Sequence, residues 1–261
     1  MYDLDALDAA FSRSIYSGNF HYTPSTGSTN TDALTAARAG APHGSVFLTD
    51  EQTAGRGRGD HDWESAAGKG LYVSVLLRPS IAAEHMPLIP LAAGLAAAQA
   101  IGITAGLEVD LRWPNDLLIG ERKAGGILVE SKTEGTALSF AVVGIGINVH
   151  QRSFDPDLST PATSLEIESR RTINRQPLLI SLLESLQHET WALLEPGLVA
   201  AIPARVAFMS KWVSNRRVEV HGPQSCVGVT AGLDEHGFLL VQTDQGLVTV
   251  QTGGIRAAES D

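Results

Sequence analysis

Residues 71–77 read L-Y-V-S-V-L-L, a run without a polar face. Side chains along a strand point alternately to opposite sides, so a strand with one wet face alternates apolar and polar residues. This run does not alternate, and it reads as a strand covered on both faces, which requires at least one further layer of structure on each side.

The flanking sequence supplies elements for such layers. S-T-N-T-D-A-L-T-A-A-R-A-G predicts a helix opening at Ser28 or Thr29, where a hydroxyl can satisfy an orphan amide, and closing near Gly40. A strand is expected over 46–52. Residues 87–106, rich in Ala and Leu, have helical spacing with a proline near the first turn. L-R-W-P-N-D-L-L-I-G reads as a strand broken at Pro114 that ends in a turn at Gly120, and 124–132 with 138–149 as a strand pair joined near Glu134 and Gly135. From Pro177 onward, Leu179, Leu182, Leu183, Leu186 and Leu193 share one helical stripe. Residues 1–20 are weakly periodic and predict a loose arm or short helix.

After Trp212 the texture changes to short β-rich runs separated by glycine turns, which predicts a small barrel of about 45 residues. The expected fold class is α+β: a mixed sheet with helices over residues 1–213, then a small β domain over 214–261.

With 261 residues and 43% hydrophobic residues the chain can build a full core. A net charge of −10 argues against a surface that coats nucleic acid, so local basic clusters read as sites. The lone Cys226 allows no internal disulfide and no cysteine zinc cluster. The start, M-Y-D-L-D-A-L-D, is acidic where a signal peptide is basic, and no apolar run of about 18 residues is apparent, so a cytoplasmic protein without membrane attachment is expected.

Four segments carry candidate chemistry. G-R-G-R-G-D-H-D-W, Gly55 to Trp63, has no apolar face, and its glycines carry an ordering cost that a bound partner would offset. Arg56 and Arg58, two apart in extended backbone, can reach the same side and grip phosphate or carboxylate oxygens; the bland alternative is a flexible surface loop. In R-W-P-N-D-L-L-I-G-E-R-K-A-G-G, Asn115 and Asp116 stand at a strand break, and Lys123 opens the next strand beside two glycines, where it can meet charge developing on an acyl-phosphate oxygen; otherwise this is a turn with a surface lysine. G-S-T-N, residues 27–30, is explained by a helix cap, but the same groups could hold a polar ring or a phosphate. G-I-G-I-N, Gly144 to Asn148, is a strand end whose glycines allow close packing or close ligand approach. No Walker loop, complete G-x-G-x-x-G at a helix start, H-E-x-x-H, G-x-S-x-G or metal-spaced histidine pair is found.

Taken in order, G-S-T-N, E-Q-T-A-G-R-G-R, W-P-N-D-L-L, R-K-A-G-G-I-L-V-E and G-I-G-I-N-V resemble the biotin protein ligases. Any one motif is weak and the ordered set is specific. The resemblance runs from about residue 22 to 150, and the β-rich tail is similar to that family's SH3-like domain. It implies a mixed sheet with helices on one side, the fold shared with lipoate-attaching enzymes. It also implies a reaction in which biotin and ATP, with Mg2+, give biotinyl-5'-adenylate and pyrophosphate, after which a lysine of a biotin carboxyl carrier domain takes the biotin.

By the same resemblance Ser28, Thr29 and Asn30 bind the ureido ring, and Gln52 contacts biotin. Gly55, Arg56, Gly57 and Arg58 form the loop that folds over the adenylate, and Trp63 packs near adenine. Asn115 and Asp116 face the nucleotide, with Asp116 a candidate magnesium contact through the phosphates. Lys123, beside Gly126, bonds the biotin carboxyl and adenylate oxygens, and Asn148, beyond Gly144, contacts the nucleotide. Lys123, Arg56 and Arg58 are the catalytic candidates. One departure concerns Gly59, Asp60, His61 and Asp62, which fill a space where the family often has another Gly-Arg.

Some members of the family are repressors with an N-terminal helix-turn-helix domain. Only 27 residues precede Ser28 and they are acidic, so DNA binding is not expected. The nearer rival is an enzyme attaching lipoate or octanoate. A monomer or a homodimer is compatible with the sequence.

Overall fold

The computed structural model describes residues 2–59, 61–135 and 137–258. In chain order it contains α1 (Leu4–Ala10), β1 (Phe20–Thr26), α2 (Thr29–Arg38), β2 (Ser45–Gln52), β3 (Gly70–Leu77), α3 (Leu88–Ala105), β4 (Asp110–Arg112), β5 (Asp116–Ile119), β6 (Arg122–Glu134) and β7 (Ala137–Asn148). There follow α4 (Leu165–Ser169), α5 (Arg175–Ala192), α6 (Pro196–Val199) and α7 (Ile202–Met209), then β8 (Ser214–His221), β9 (Cys226–Leu233), β10 (Leu239–Thr243), β11 (Gly246–Val250) and β12 (Gly254–Ala257).

The first sheet runs β1-β2-β3-β7-β6-β5-β4, with β1 and β2 parallel and every other pair antiparallel. The apolar run of β3 lies at its middle, and its two faces meet different partners. Leu71, Val73, Val75 and Leu77, with Val143, Ile145 and Ile147 of β7, join the main core beneath α3 and α5. Leu76, Phe140 and Val142 point the other way and pack under Ala33 and Ala37 of α2. Each fully buried aliphatic side chain here is worth about 1.5–3 kcal/mol. The two long helices thus cover one face, while α2 covers only part of the other. The uncovered remainder of that second face carries the site.

Of the two alternatives for the N-terminal segment the short helix is found: α1 buries Leu7, and Phe11 and Tyr16 pack edge to face into the core. One expectation is corrected: α3, with its proline, glycines and alanines, is by itself long and apolar enough to cross a bilayer. Here it is the core helix between the sheet and α5, buried along most of its length.

The second sheet is antiparallel, in the order β11-β10-β9-β8-β12, and forms the small SH3-like domain. It is docked against the first: Trp113 Nε1 donates to Gly237 O at 3.0 Å, and the Trp212 ring centroid lies 3.6 Å from the guanidinium carbon of Arg216 and 5.3 Å from that of Arg112.

Candidate active site

A cavity of about 820 Å³ opens on the uncovered face, within the size range of small-molecule sites. It runs from the start of α2, across β6 and β7, to the turns of the second domain around Gly222 and Gly253.

At one end sits a chain of neutral polar groups. Ser28 is at the N-cap position of α2 but makes no side-chain cap bond, so a cap does not account for its buried hydroxyl. Thr29 donates from its backbone N to Gln52 Oε1 at 2.9 Å, and Gln52 Nε2 donates to Ser65 Oγ at 2.7 Å. Ser74 Oγ, buried in β3, lies 2.7 Å from Thr29 Oγ1 and 2.6 Å from Asn30 Oδ1. Asn30 Nδ2 donates to Glu130 Oε2 at 2.9 Å and, more weakly, to Leu128 O at 3.3 Å. Every polar atom of the Asn30 amide is therefore engaged within the protein. Asn30 shapes this end of the cavity, as does Thr29, whose hydroxyl donates to Gln52 Oε1 and accepts from Ser74, and Ser28 is the member of the segment best placed to meet a ligand.

The floor between the two ends is made of glycines. On β7 a Cβ at Gly144 would stand 2.1 Å from Asn30 Oδ1, and one at Gly146 would stand 2.6 Å from Trp63 Nε1. Gly126 of β6 lies alongside, with Lys123 and Trp63 the nearest groups above it. Trp63 covers this floor, its Nε1 is buried without a partner, and Lys123 Nζ lies 5.6 Å from the ring centroid.

The other end is cationic. Lys123 Nζ stands 2.5 Å from Asp116 Oδ1, and Arg112 approaches Asp116 Oδ2 through Nη2 at 2.6 Å and Nε at 3.0 Å. Burial pushes the Asp116 carboxyl up, but Lys123 and Arg112 outweigh it and hold the group ionised below its ordinary range. The hairpin of β4 and β5, closed by the three-residue loop 113–115, brings Arg112 opposite Asp116, and the bulged pairing of β5 with β6 brings in Lys123. Asn115 works beside them as a clamp: its Nδ2 donates to Ile127 O at 2.7 Å and its carbonyl accepts from Ile127 N at 3.0 Å, fixing β6. Asn148 is buried and bonded on both sides, donating to Thr163 O and accepting from Gln151 Nε2.

Magnesium does not fit Asp116 in this arrangement. Both carboxylate oxygens are held by cations, and among the described residues no three His, Cys, Asp or Glu side chains cluster for a metal.

The glycine-arginine loop folds as a short hairpin over the cavity. Gly57 N donates to His61 O and Trp63 N to Gly55 O. Gly55 lies beneath the loop rather than on the cavity wall, where a Cβ would meet Trp63 O at 2.4 Å, so it serves the loop's own fold. Arg56 Nη2 pairs with Glu130 Oε2 at 2.8 Å. Arg58 reaches across the domain junction, its Nη1 donating to Gly253 O at 2.8 Å, and partial burial lowers its pKa. Gly57 and Arg58 line the cavity. Of the departing segment, Gly59, His61 and Asp62 lie at its rim, and Asp60 falls outside the described residues.

Sequence reasoning missed Ser74, hidden in an apolar run, Glu130, read only as part of a motif, and the wall given by the second domain. The alternation Gly126, Leu128, Glu130 along β6 was the available signal for the second of these.

Residues 22–148 match the biotin/lipoate A/B protein ligase family, and residues 213–255 match the biotin protein ligase C-terminal domain. A biotin–[acetyl-CoA-carboxylase] ligase of Mycobacterium tuberculosis is 34% identical over 88% of this chain and 85% of its own. The chain belongs to the biotin protein ligase family. The bifunctional ligase/repressor BirA of Bacillus spizizenii is 33% identical, covering 87% of this chain and 70% of its own. Among solved structures, a biotin protein ligase from Aquifex aeolicus in complex with biotin and ATP superposes with a TM-score of 0.78 at 26% identity, over 93% of this chain and 100% of that one. The ligase assignment therefore rests on sequence and fold together.

Proposed function

We propose that this chain activates biotin with ATP and transfers it to a lysine of a biotin carboxyl carrier domain of a carboxylase, with residues 1–213 as catalytic domain and 214–261 as C-terminal domain. The carrying observation is the polarity of the one cavity. A hydrogen-bonding end at Ser28, Thr29 and Gln52 is joined by a glycine floor to a cationic end at Lys123, Arg112 and Arg58, while Arg56 is held by Glu130 beside Asn30. Biotin has this same polarity, an uncharged ureido ring at one end and a carboxylate at the other. The Aquifex aeolicus relative, solved with biotin and ATP, supports the reading.

In the first step a biotin carboxylate oxygen attacks the α-phosphorus of ATP; the new O–P bond forms as the bond to the β-phosphate oxygen breaks and pyrophosphate leaves. The acceptor lysine, as neutral amine, then attacks the adenylate carbonyl; the amide forms, AMP departs and the amine's proton is lost to solvent. No enzyme nucleophile is required, so the protein contributes positioning and charge. Lys123, held by Asp116 above the glycine floor, supplies positive charge where the carboxylate and α-phosphate meet. Arg56 and Arg58 supply it from the loop, and Trp63 packs near the adenine. Ser28, Thr29 and Gln52 orient the ring, and Asn148 stands on the nucleotide side. ATP brings Mg2+ as its counter-ion, and no residue of this chain is assigned to it. The demand for ATP and carboxylase acceptors fits a cytoplasmic setting.

Pyrophosphate exchange into ATP tests the reading. Exchange that depends on biotin and is not supported by lipoate is expected; exchange with lipoate alone would move the chain to the rival activity.

A further inference from the structure

Glu130 does not itself line the cavity, yet it holds two side chains that do, Asn30 and Arg56. It stands on β6 two and four residues beyond Leu128 and Gly126, and so projects to the same open face. One oxygen, Oε2, accepts from Asn30 Nδ2 at 2.9 Å and from Arg56 Nη2 at 2.8 Å. The two partners differ in freedom. Asn30 is buried, its carbonyl oxygen is held by Ser74, and Gly144 leaves no space behind it. The side chain of Arg56 is 45% exposed, and Glu130 is its ion-pair partner. One contact is thus fixed by packing, and the other is an exchangeable pair on a loop.

Resting on the function proposed above, we propose that Glu130 is a positioning residue that parks Arg56 at the wall of the cavity and releases it to the anionic group of the adenylate. A phosphate or carboxylate entering the cationic end competes with Glu130 for the same guanidinium, whose planar fork suits either acceptor. Asn30 keeps Glu130 in place during the exchange, so the carboxylate does not follow Arg56 into the site. Occupancy of the cavity and the position of the loop are then linked through one residue, and the linkage is reciprocal.

The consequence is directional. Glu130→Gln preserves the shape and an acceptor for Asn30 but removes the charge that competes for Arg56. Biotinyl-adenylate should dissociate from this variant about two- to fivefold more slowly, the range for releasing one exposed ion pair. Glu130→Ala removes the Asn30 acceptor as well, and should raise the KM for biotin while kcat changes less. In an Arg56→Ala background, Glu130→Gln should leave dissociation unchanged, because its partner is gone.

The experiment is adenylate dissociation from the full chain, followed for the wild type, the three variants and the double variant, with thermal melts confirming that each is folded. Slower release in Glu130→Gln that vanishes without Arg56 supports the proposal. Equal or faster release in Glu130→Gln, or an effect that persists without Arg56, overturns it. A wild type that forms no adenylate from biotin and ATP overturns the function reading itself, whereas an active wild type with an unresponsive Glu130→Gln overturns this inference alone.

Discussion

Lys123 Nζ and Asp116 Oδ1 are 2.5 Å apart, and the other oxygen of the same carboxylate is held by Arg112. One anion therefore orders two cations at the reacting end of the cavity. Asp116→Ala leaves both cations facing each other without it, and should cost about 3 kcal/mol or more in stability, as removing one partner of a buried pair does. Chemical denaturation measures this, and a loss below about 1 kcal/mol, the value of an exposed pair, would show the cluster to be solvated.

The same carboxylate gives a pH dependence. Its folded pKa is depressed, as are those of Asp50, held by Tyr22 and Arg175, and of Glu166, held by His150; at all three, burial pushes up and the partners outweigh it. A depressed carboxyl contributes stability that is fully present above the unfolded value and lost as the pH falls through the folded one. Stability should therefore hold from neutrality to about pH 5 and fall steadily below about pH 4. In Asp116→Asn the fall should be shallower. Melting temperature against pH, compared between the two proteins, checks it.

Lys123→Ala should lower pyrophosphate release by a factor on the order of a hundred, the usual effect of losing one charge-stabilising donor. Asp116 keeps Arg112 in this variant, so the loss should appear in rate far more than in melting temperature. Undiminished release would return Lys123 to the role of a structural counter-ion.

The two loop arginines should behave differently. Arg56 is exposed, and Arg56→Gly should leave the melting temperature almost unchanged while adenylate escapes and biotin appears on bystander proteins. Arg58 is half-buried and bonds Gly253 of the second domain, so Arg58→Gly should also loosen the domain junction and lower the melting temperature. Equal melting temperatures for both would mean the Gly253 bond contributes nothing.

Amide exchange follows the loop as a whole. Its glycines and charged side chains repay little ordering entropy, and its hairpin is held by few bonds, so residues 55–65 should exchange readily in the free protein and become protected with biotinyl-adenylate. The same exchange in both states would place the loop outside the site.

Much of this was legible in the sequence for a physical reason. Strands covered on both faces, such as 71–77, and helices bounded by proline or glycine, such as 88–105, announce themselves through local pattern, and Gly-Arg, Pro-Asn-Asp and Lys-Ala-Gly-Gly are locally odd enough to mark a site. What was not legible depends on which side of the sheet a residue faces. Ser74 sits in a run that looks uniformly apolar, yet it points to the open face between Thr29 and Asn30. Glu130 acquires its role only because β6 lies beside the start of α2, a contact between residues a hundred apart. The asymmetry between Arg56 and Arg58 comes from the docking of the second domain, which no spacing within the loop encodes. At Gly55 the local oddity has a reason within the fold itself, since a Cβ there would meet Trp63 O at 2.4 Å in the hairpin.

The central claim is that this cavity couples biotin to an acceptor lysine through an adenylate. Incubation of the full chain with labelled biotin, ATP and a biotin carboxyl carrier domain tests it directly. The account predicts label on the carrier lysine, dependent on ATP and absent from a carrier whose acceptor lysine is replaced; a carrier that stays unlabelled while wild-type ligase is folded and supplied with both substrates would contradict it.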